Sequence, residues 1–167
     1  MINSYLNHLQ ESSIPTKWRQ RVEVYILHGD KIMVGFQKNN NLYLPAGGGV
    51  EKGQTLYTAA ENEALEELGV QIKNPVLIDK KPFLSDWYKL QAQGVELNSQ
   101  IKERMKELRG QKIYFVKAEY VKVDKKYYGR DNDAMKPVLM TKQRLIKEFK
   151  KNNWRVSKHR IKIVGML

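Results

Sequence analysis

Cysteine is absent from this sequence. That excludes disulfide bonds and zinc sites built on thiolates, and it suits a reducing compartment such as the cytoplasm. Long apolar runs are absent too. No stretch approaches the roughly 20 apolar residues that a spanning helix needs, so no membrane partner is expected. The opening residues, MINSYLNHLQESS, lack a basic segment followed by an apolar one and do not read as a secretory signal. There is no internal repeat and no low-complexity segment. Acidic residues are scarce against basic ones, 18 to 30, which leaves a net charge of +12. A field of that sign attracts phosphorylated ligands and polyanions, although scattered surface lysines also serve plain solubility. What remains is a chain of 167 residues, 41% of them hydrophobic, suited to one domain with its own core.

The hydrophobic pattern predicts strands first. From Arg19 to Leu27, Val22, Val24 and Ile26 alternate with Arg21, Glu23 and Tyr25. His28-Gly29-Asp30 is turn chemistry. Lys31 to Gln37 follows as a second strand with Ile32, Val34 and Phe36 in step, so a hairpin is expected. Leu42 to Leu44 is a short apolar piece stopped by Pro45, and a glycine loop, Gly47 to Gly49, comes next. Thr55 to Leu68 reads as a helix with Thr55 as N-cap and Gly69 as stop. Val70 to Ile78 and Lys112 to Val123 return to strand character. Glu96 to Leu108 reads either as a helix or as a long excursion. Tyr127 to Ala134 reads as a polar loop, and Thr141 to Lys151 as a capped helix with Leu145, Ile146 and Phe149 inward. The basic segment 152–167 adds a last strand or packs on the surface. Together these elements predict an α/β fold, a mixed sheet with helices against it. The expected organisation is a single domain over 1–167 with a short N-terminal arm, 1–17.

The chemistry concentrates between Gly48 and Val70. Glu63, Glu66 and Glu67 stand at i, i+3 and i+4, and on a helix such side chains are neighbours. Like charges that close repel unless a cation lies among them. A hard divalent ion such as Mg²⁺ takes oxygen ligands of this kind. Ala60, Ala64, Leu65 and Leu68 form the opposite, core-facing side. The same three glutamates also suit an ordinary solvated helix face, and the glycines an ordinary turn.

The segment GGVEKGQTLYTAAENEALEELGV resembles the Nudix box, in which an opening Gly and a first Glu precede the run REUxEExGU, U being apolar. Gly48 takes the opening Gly, Glu63 the Glu after the family Arg, Glu66 and Glu67 the paired Glu, and Gly69 and Val70 the closing pair. The lead-in LYLPAGG is similar as well. Two positions depart: Gln54 stands for the first Glu and Asn62 for the Arg. The family describes that Glu and Arg as a supporting pair, so a Gln54–Asn62 hydrogen bond is the expectation here, with Gln54, Asn62 and Gly69 as structural support.

The resemblance implies a Nudix-like mixed β-sheet sandwiched between α-helices. It implies a metal-dependent hydrolase cleaving the pyrophosphate bond of a nucleoside-diphosphate-linked substrate, a nucleotide, a dinucleotide or an RNA 5′ end. Mg²⁺, with Mn²⁺ as substitute, would be held by Glu63, Glu66 and Glu67, and Glu66 or Glu67 would act as base. Glu51 and the loop Asp131-Asn132-Asp133 are further base candidates. Gly48 and Gly49 would approach the phosphates, with Arg21 and Lys38, and also Arg19 and Arg130, as cationic candidates. Tyr43 and Trp87 are candidates to stack on a base, with packing as the alternative. His8, His28 and His159 show no metal spacing. The departures at Gln54 and Asn62 leave a second reading open, a non-catalytic nucleotide- or RNA-binding module on the same fold.

Overall fold

The computed structural model describes residues 13–130, 132–152 and 154–167. Most of the expected arm, 1–17, therefore lies outside the described residues, as does Asp131. The chain forms two compact units, one of residues 84–112 together with the segment up to Gln20, the other of Arg21–Phe83 and Ile113–Leu167.

The larger unit is built on β1 (Trp18–His28), β2 (Lys31–Gln37), β3 (Leu42–Leu44), β4 (Ala46–Gly49), β5 (Val70–Leu77), β7 (Gly110–Val123) and β8 (Lys136–Met140). Its mixed sheet runs β3-β2-β1-β7-β5, with β4 added to β1 and β8 to β2. The β1–β2 hairpin turns at Gly29, whose φ of 62° is one that glycine adopts without steric cost. The strand alternation sorts two cores. Val22, Val24, Ile26, Val116 and Ala118 lie on one face with Ala59, Ala60, Ala64 and Leu68 of the glutamate-bearing helix. Tyr25, Ile32, Val34, Ile113 and Phe115 lie on the other. That second core is shared with α4 (Lys142–Lys150), which contributes Leu145 and Phe149, and α5 (Arg155–Gly165), which contributes Ile163 and Val164. The α/β architecture expected from the pattern is what forms.

Two elements differ from expectation, and a third decides an open alternative, since Ser99–Arg104 within Glu96–Leu108 is helical. Gly47 to Gly49 lies in a strand, not a loop, because its backbone completes β1. The C-terminal segment is helical: Ile163 and Val164 fall on one side with Ser157 and Arg160, a spacing that short β-rich runs conceal. The charged stretch after β5 forms β6 (Phe83–Asp86) and two short helices, α2 (Trp87–Ala92) and α3 (Ser99–Arg104). In the smaller unit, Trp87, Leu97 and Met105 form a core of their own, and Asp86 caps α2 while accepting from Arg109 Nε at 2.9 Å.

A buried ion pair ties α5 to the sheet. Arg160 Nε donates to Glu23 Oε2 at 3.0 Å and its Nη2 to Oε1, both residues being buried. Burial works against the Arg160 charge and the Glu23 carboxylate outweighs it, holding the guanidinium above its ordinary value. Removing one partner of such a pair costs about 3–5 kcal/mol, whereas replacing both by apolar groups is often neutral. Arg160→Met should therefore destabilise strongly in urea unfolding. Adding Glu23→Leu to it should recover most of that loss. A double variant as unstable as the single one would mean that the pair carries no coupling.

Candidate active site

Thr55 opens α1 (Leu56–Glu63) by accepting from Thr58 N–H at 3.1 Å. The helix does not continue as α. Ala64–Leu68 forms a π-helical turn, closed by Gly69 at φ 63°, whose N–H reaches the carbonyls of Ala64 and Leu65. The wider turn redirects its later carbonyls. Glu66 O accepts from Gly129 N–H at 2.9 Å and Glu67 O from Met135 N–H at 2.8 Å, which ties the glutamate turn to the loop after β7.

Two of the three glutamates converge on the strand glycines. Gly47 N–H donates to Glu67 Oε2 at 2.8 Å. A Cβ built on Gly48 would fall on the Glu63 carboxylate. A Cβ on Gly47 would fall on the Val22 carbonyl oxygen. Backbone that cannot give way requires glycine at position 47, while at position 48 a side chain would displace the Glu63 carboxylate. Arg21, opposite Gly49 in the β1–β4 ladder, donates to Gly47 O at 3.1 Å.

Burial pushes the Glu67 carboxyl up to about 8, the Gly47 N–H and the Arg21 charge opposing that rise and the Glu63 and Asp133 charges adding to it. Arg21 and Asp133 thus both act at Glu67. Glu66 is half-buried on the same turn. Among the described residues no three acidic or histidine side chains stand close enough together to hold a metal ion as they are. The all-oxygen pair of Glu63 and Glu67, facing backbone with no Cβ, suits a hard divalent cation in its chemistry.

Other expected residues are placed elsewhere. The Gln54–Asn62 hydrogen bond does not form: Gln54 Oε1 accepts from Glu51 N–H at 2.9 Å, and no hydrogen bond joins the two amides. Gln54 thereby closes a turn within the loop, a job its position three residues after Glu51 makes local. Lys38 lies exposed in the β2–β3 turn, and among the described residues no contact joins it to the carboxylates. Trp87 is buried in the smaller unit and serves packing, while half-buried Tyr43 lies tilted against Phe36 at 5.0 Å. His159 packs tilted against Phe83 and Phe115. Arg130 lies over the Tyr127 ring at 5.6 Å, on the loop that reaches Glu66. The part of Gly47 as hydrogen-bond donor to Glu67 was not anticipated from the sequence. Its signal was the glycine run itself, which marks close backbone approach.

Gly47→Ala should destabilise by about 2 kcal/mol, since it meets backbone that cannot step aside. Gly48→Ala should fold nearly as well, because the flexible Glu63 side chain can move away, and any divalent cation held there should bind more weakly. Chemical denaturation and calorimetric metal titration separate the two effects. Equal stability losses in both variants would contradict the distinction.

Glu67 also sets a pH dependence. Its carboxyl ordinarily titrates at 4.5 and in the fold at about 8, so the folded state holds a proton that the unfolded chain has released. Metal-free protein should therefore lose stability as pH rises from about 4.5 to about 8. Glu67→Gln should flatten that slope in melts recorded with a chelator, and a slope unchanged by the substitution would show that another group produces it.

No family model matches the sequence, and no curated protein sequence matches it. Solved structures match its fold. A NUDIX hydrolase from Nitrosomonas europaea is 13% identical, with 89% of each chain covered and a TM-score of 0.60. An ADP compounds hydrolase is 15% identical over 90% of this chain and 72% of that one, TM-score 0.59. A mutator MutT protein from Bacillus halodurans is 16% identical over 78% and 72%, TM-score 0.51. At such identities the likeness is one of architecture, and the architecture is the Nudix fold.

Proposed function

We propose that this chain is a divalent-metal-dependent hydrolase that cleaves the pyrophosphate bond of a nucleoside-diphosphate-linked substrate. The observation that carries the reading is the juxtaposition of Glu67 and Glu63 on the bare backbone of Gly47 and Gly48. The box-like sequence from Gly48 to Val70 and the fold likeness support it.

Glu63, Glu66 and Glu67 would hold Mg²⁺ or Mn²⁺. Such an ion, when bound, neutralises diphosphate charge and makes water more acidic. The protein's own groups supply the rest. Gly47 N–H fixes Oε2 of Glu67 and leaves its other oxygen to receive a proton from water. A cation held by these glutamates would keep the Glu67 carboxyl ionised and able to accept that proton. Arg21, held on Gly47 O, would offer its positive charge to the diphosphate. Asp133, whose charge acts on Glu67, is a further candidate for the base.

The second reading, a non-catalytic nucleotide-binding module on this fold, draws on the neutral Gln54 and on the three glutamates not standing together as a ready metal site. One assay separates the two. Phosphate release is measured from nucleotide sugars, dinucleoside polyphosphates, ADP-ribose and triphosphorylated or capped RNA, with Mg²⁺ or Mn²⁺. Wild type should cleave at least one class, and Glu67→Gln should lose about a hundredfold or more. Nucleotide binding without cleavage by wild type would establish the module instead.

A further inference from the structure

The net charge is unevenly distributed. Residues 141–167 carry nine Lys and Arg against a single acid, Glu148, a net +8 of the chain's +12. This is the segment that forms α4 and α5, which pack on each other and on the sheet. The cations lie in two stripes of identical spacing. Arg144, Lys147 and Lys151 stand at i, i+3 and i+7, and so do Arg155, Lys158 and Lys162, all six exposed. Both stripes are opposite the buried sides of their helices, Leu145 and Phe149 on α4 and Ser157, Arg160, Ile163 and Val164 on α5. Little acid offsets them. Lys151 meets Glu148 at 2.7 Å and Lys162 meets Asp79 at 3.7 Å.

An aromatic ring stands where the two stripes meet. Trp154, the N-cap of α5, is 48% exposed, between Lys151 and Arg155. A large indole left in water beside a run of cations is the pairing that single-stranded nucleic acids exploit, the cations tracking phosphates and the ring stacking on a base.

We propose that the α4–α5 surface binds the sugar-phosphate backbone of a single-stranded nucleic acid, with Trp154 as its stacking platform. A duplex fits less well, since its bases are already stacked and present no free face to the indole. An anionic membrane fits less well too. The apolar sides of both helices are spent in the core, and among the described residues the only other large apolar side chain exposed here is Met166 at the far end of α5. The surface lies on the sheet face opposite α1 and its glutamates. It is therefore an anchor for a polymer rather than part of the hydrolytic site, and it does not depend on hydrolysis taking place.

The test is fluorescence anisotropy of a labelled single-stranded oligonucleotide with the full chain, across a salt series. Arms with the matching duplex and with phosphatidylserine vesicles run beside it. Wild type and Glu67→Gln should bind the single strand alike, with affinity falling steeply as salt rises. The triple variant Lys147→Gln, Arg155→Gln, Lys158→Gln should lower the log–log salt slope by about 2, at roughly 0.7 for each phosphate no longer neutralised. Trp154→Ala should weaken binding about tenfold at constant salt and remove most of the tryptophan quenching that the strand produces. All four substituted residues are exposed, so melting temperatures should stay close to wild type, which keeps folding out of the comparison. Single-strand binding unaltered by both variants would overturn the proposal. So would equal binding of duplex and single strand with no effect of Trp154→Ala, or vesicle binding in place of nucleic-acid binding.

Discussion

The backbone of Gly47 and Gly48 lies against two carboxylates, and much of the site depends on that approach. Gly47 presents its N–H to Glu67 and its carbonyl to Arg21, while the Val22 carbonyl stands where a Cβ would go. The strand that carries these glycines is held in register by β1, with Gly47 opposite Glu23 and Gly48 opposite Val22. An unpaired strand end would let the N–H drift, and a half-buried Glu67 without its donor would bear more of the cost of desolvation. The ladder thus fixes a hydrogen bond, and the hydrogen bond fixes a carboxylate. The π-helical turn completes the frame by handing the carbonyls of Glu66 and Glu67 to the loop at Gly129 and Met135.

The sheet separates two kinds of charge. On the α1 face, Glu63 and Glu67 meet the strand glycines with Arg21 as partial compensation, and the Glu67 carboxyl is raised first by burial and then by the Glu63 and Asp133 charges. On the other face the buried Glu23–Arg160 pair joins β1 to α5, and the outer sides of α4 and α5 carry most of the chain's excess positive charge. Glu23 sits beside Gly47 in the ladder, so the strand that aligns the carboxylate site also anchors the C-terminal helix. That economy has a consequence for Tyr25 as well. Its hydroxyl, buried next to this pair without a hydrogen-bond partner among the described residues, is held protonated well above its ordinary range by burial and by the Glu23 charge.

Legibility in the sequence followed how local each determinant is. Val22, Val24 and Ile26 alternate against Glu23 and Tyr25, and that alternation alone predicts β1. The Thr55 and Thr141 caps announce their helices in the same way, since capping needs only a residue and the N–H three positions on. The run Ile161, Ile163, Val164 misleads, because its inward spacing is clear only once Ser157 and Arg160 are known to face the core with it. The glycines at 47–49 read as a loop because a strand without side chains has no periodicity to display. Gln54 and Asn62 looked like a compensated pair from their places in the motif, yet Gln54 satisfies the nearer N–H of Glu51.

The sequence by itself determined the α/β class, the order of most elements, the placing of acidic groups on a helix that buries alanines behind them, and a charge balance that favours anionic ligands. These follow from periodicity, capping and composition, which act over a few residues. Only the tertiary structure decided that Glu67 is held by Gly47, that the charges of Arg21 and Asp133 act on it, and that the C-terminal cations form one exposed surface around Trp154. Those outcomes depend on which strand pairs with which and on what each pairing buries, and a carboxylate's surroundings come from chain segments far away in sequence.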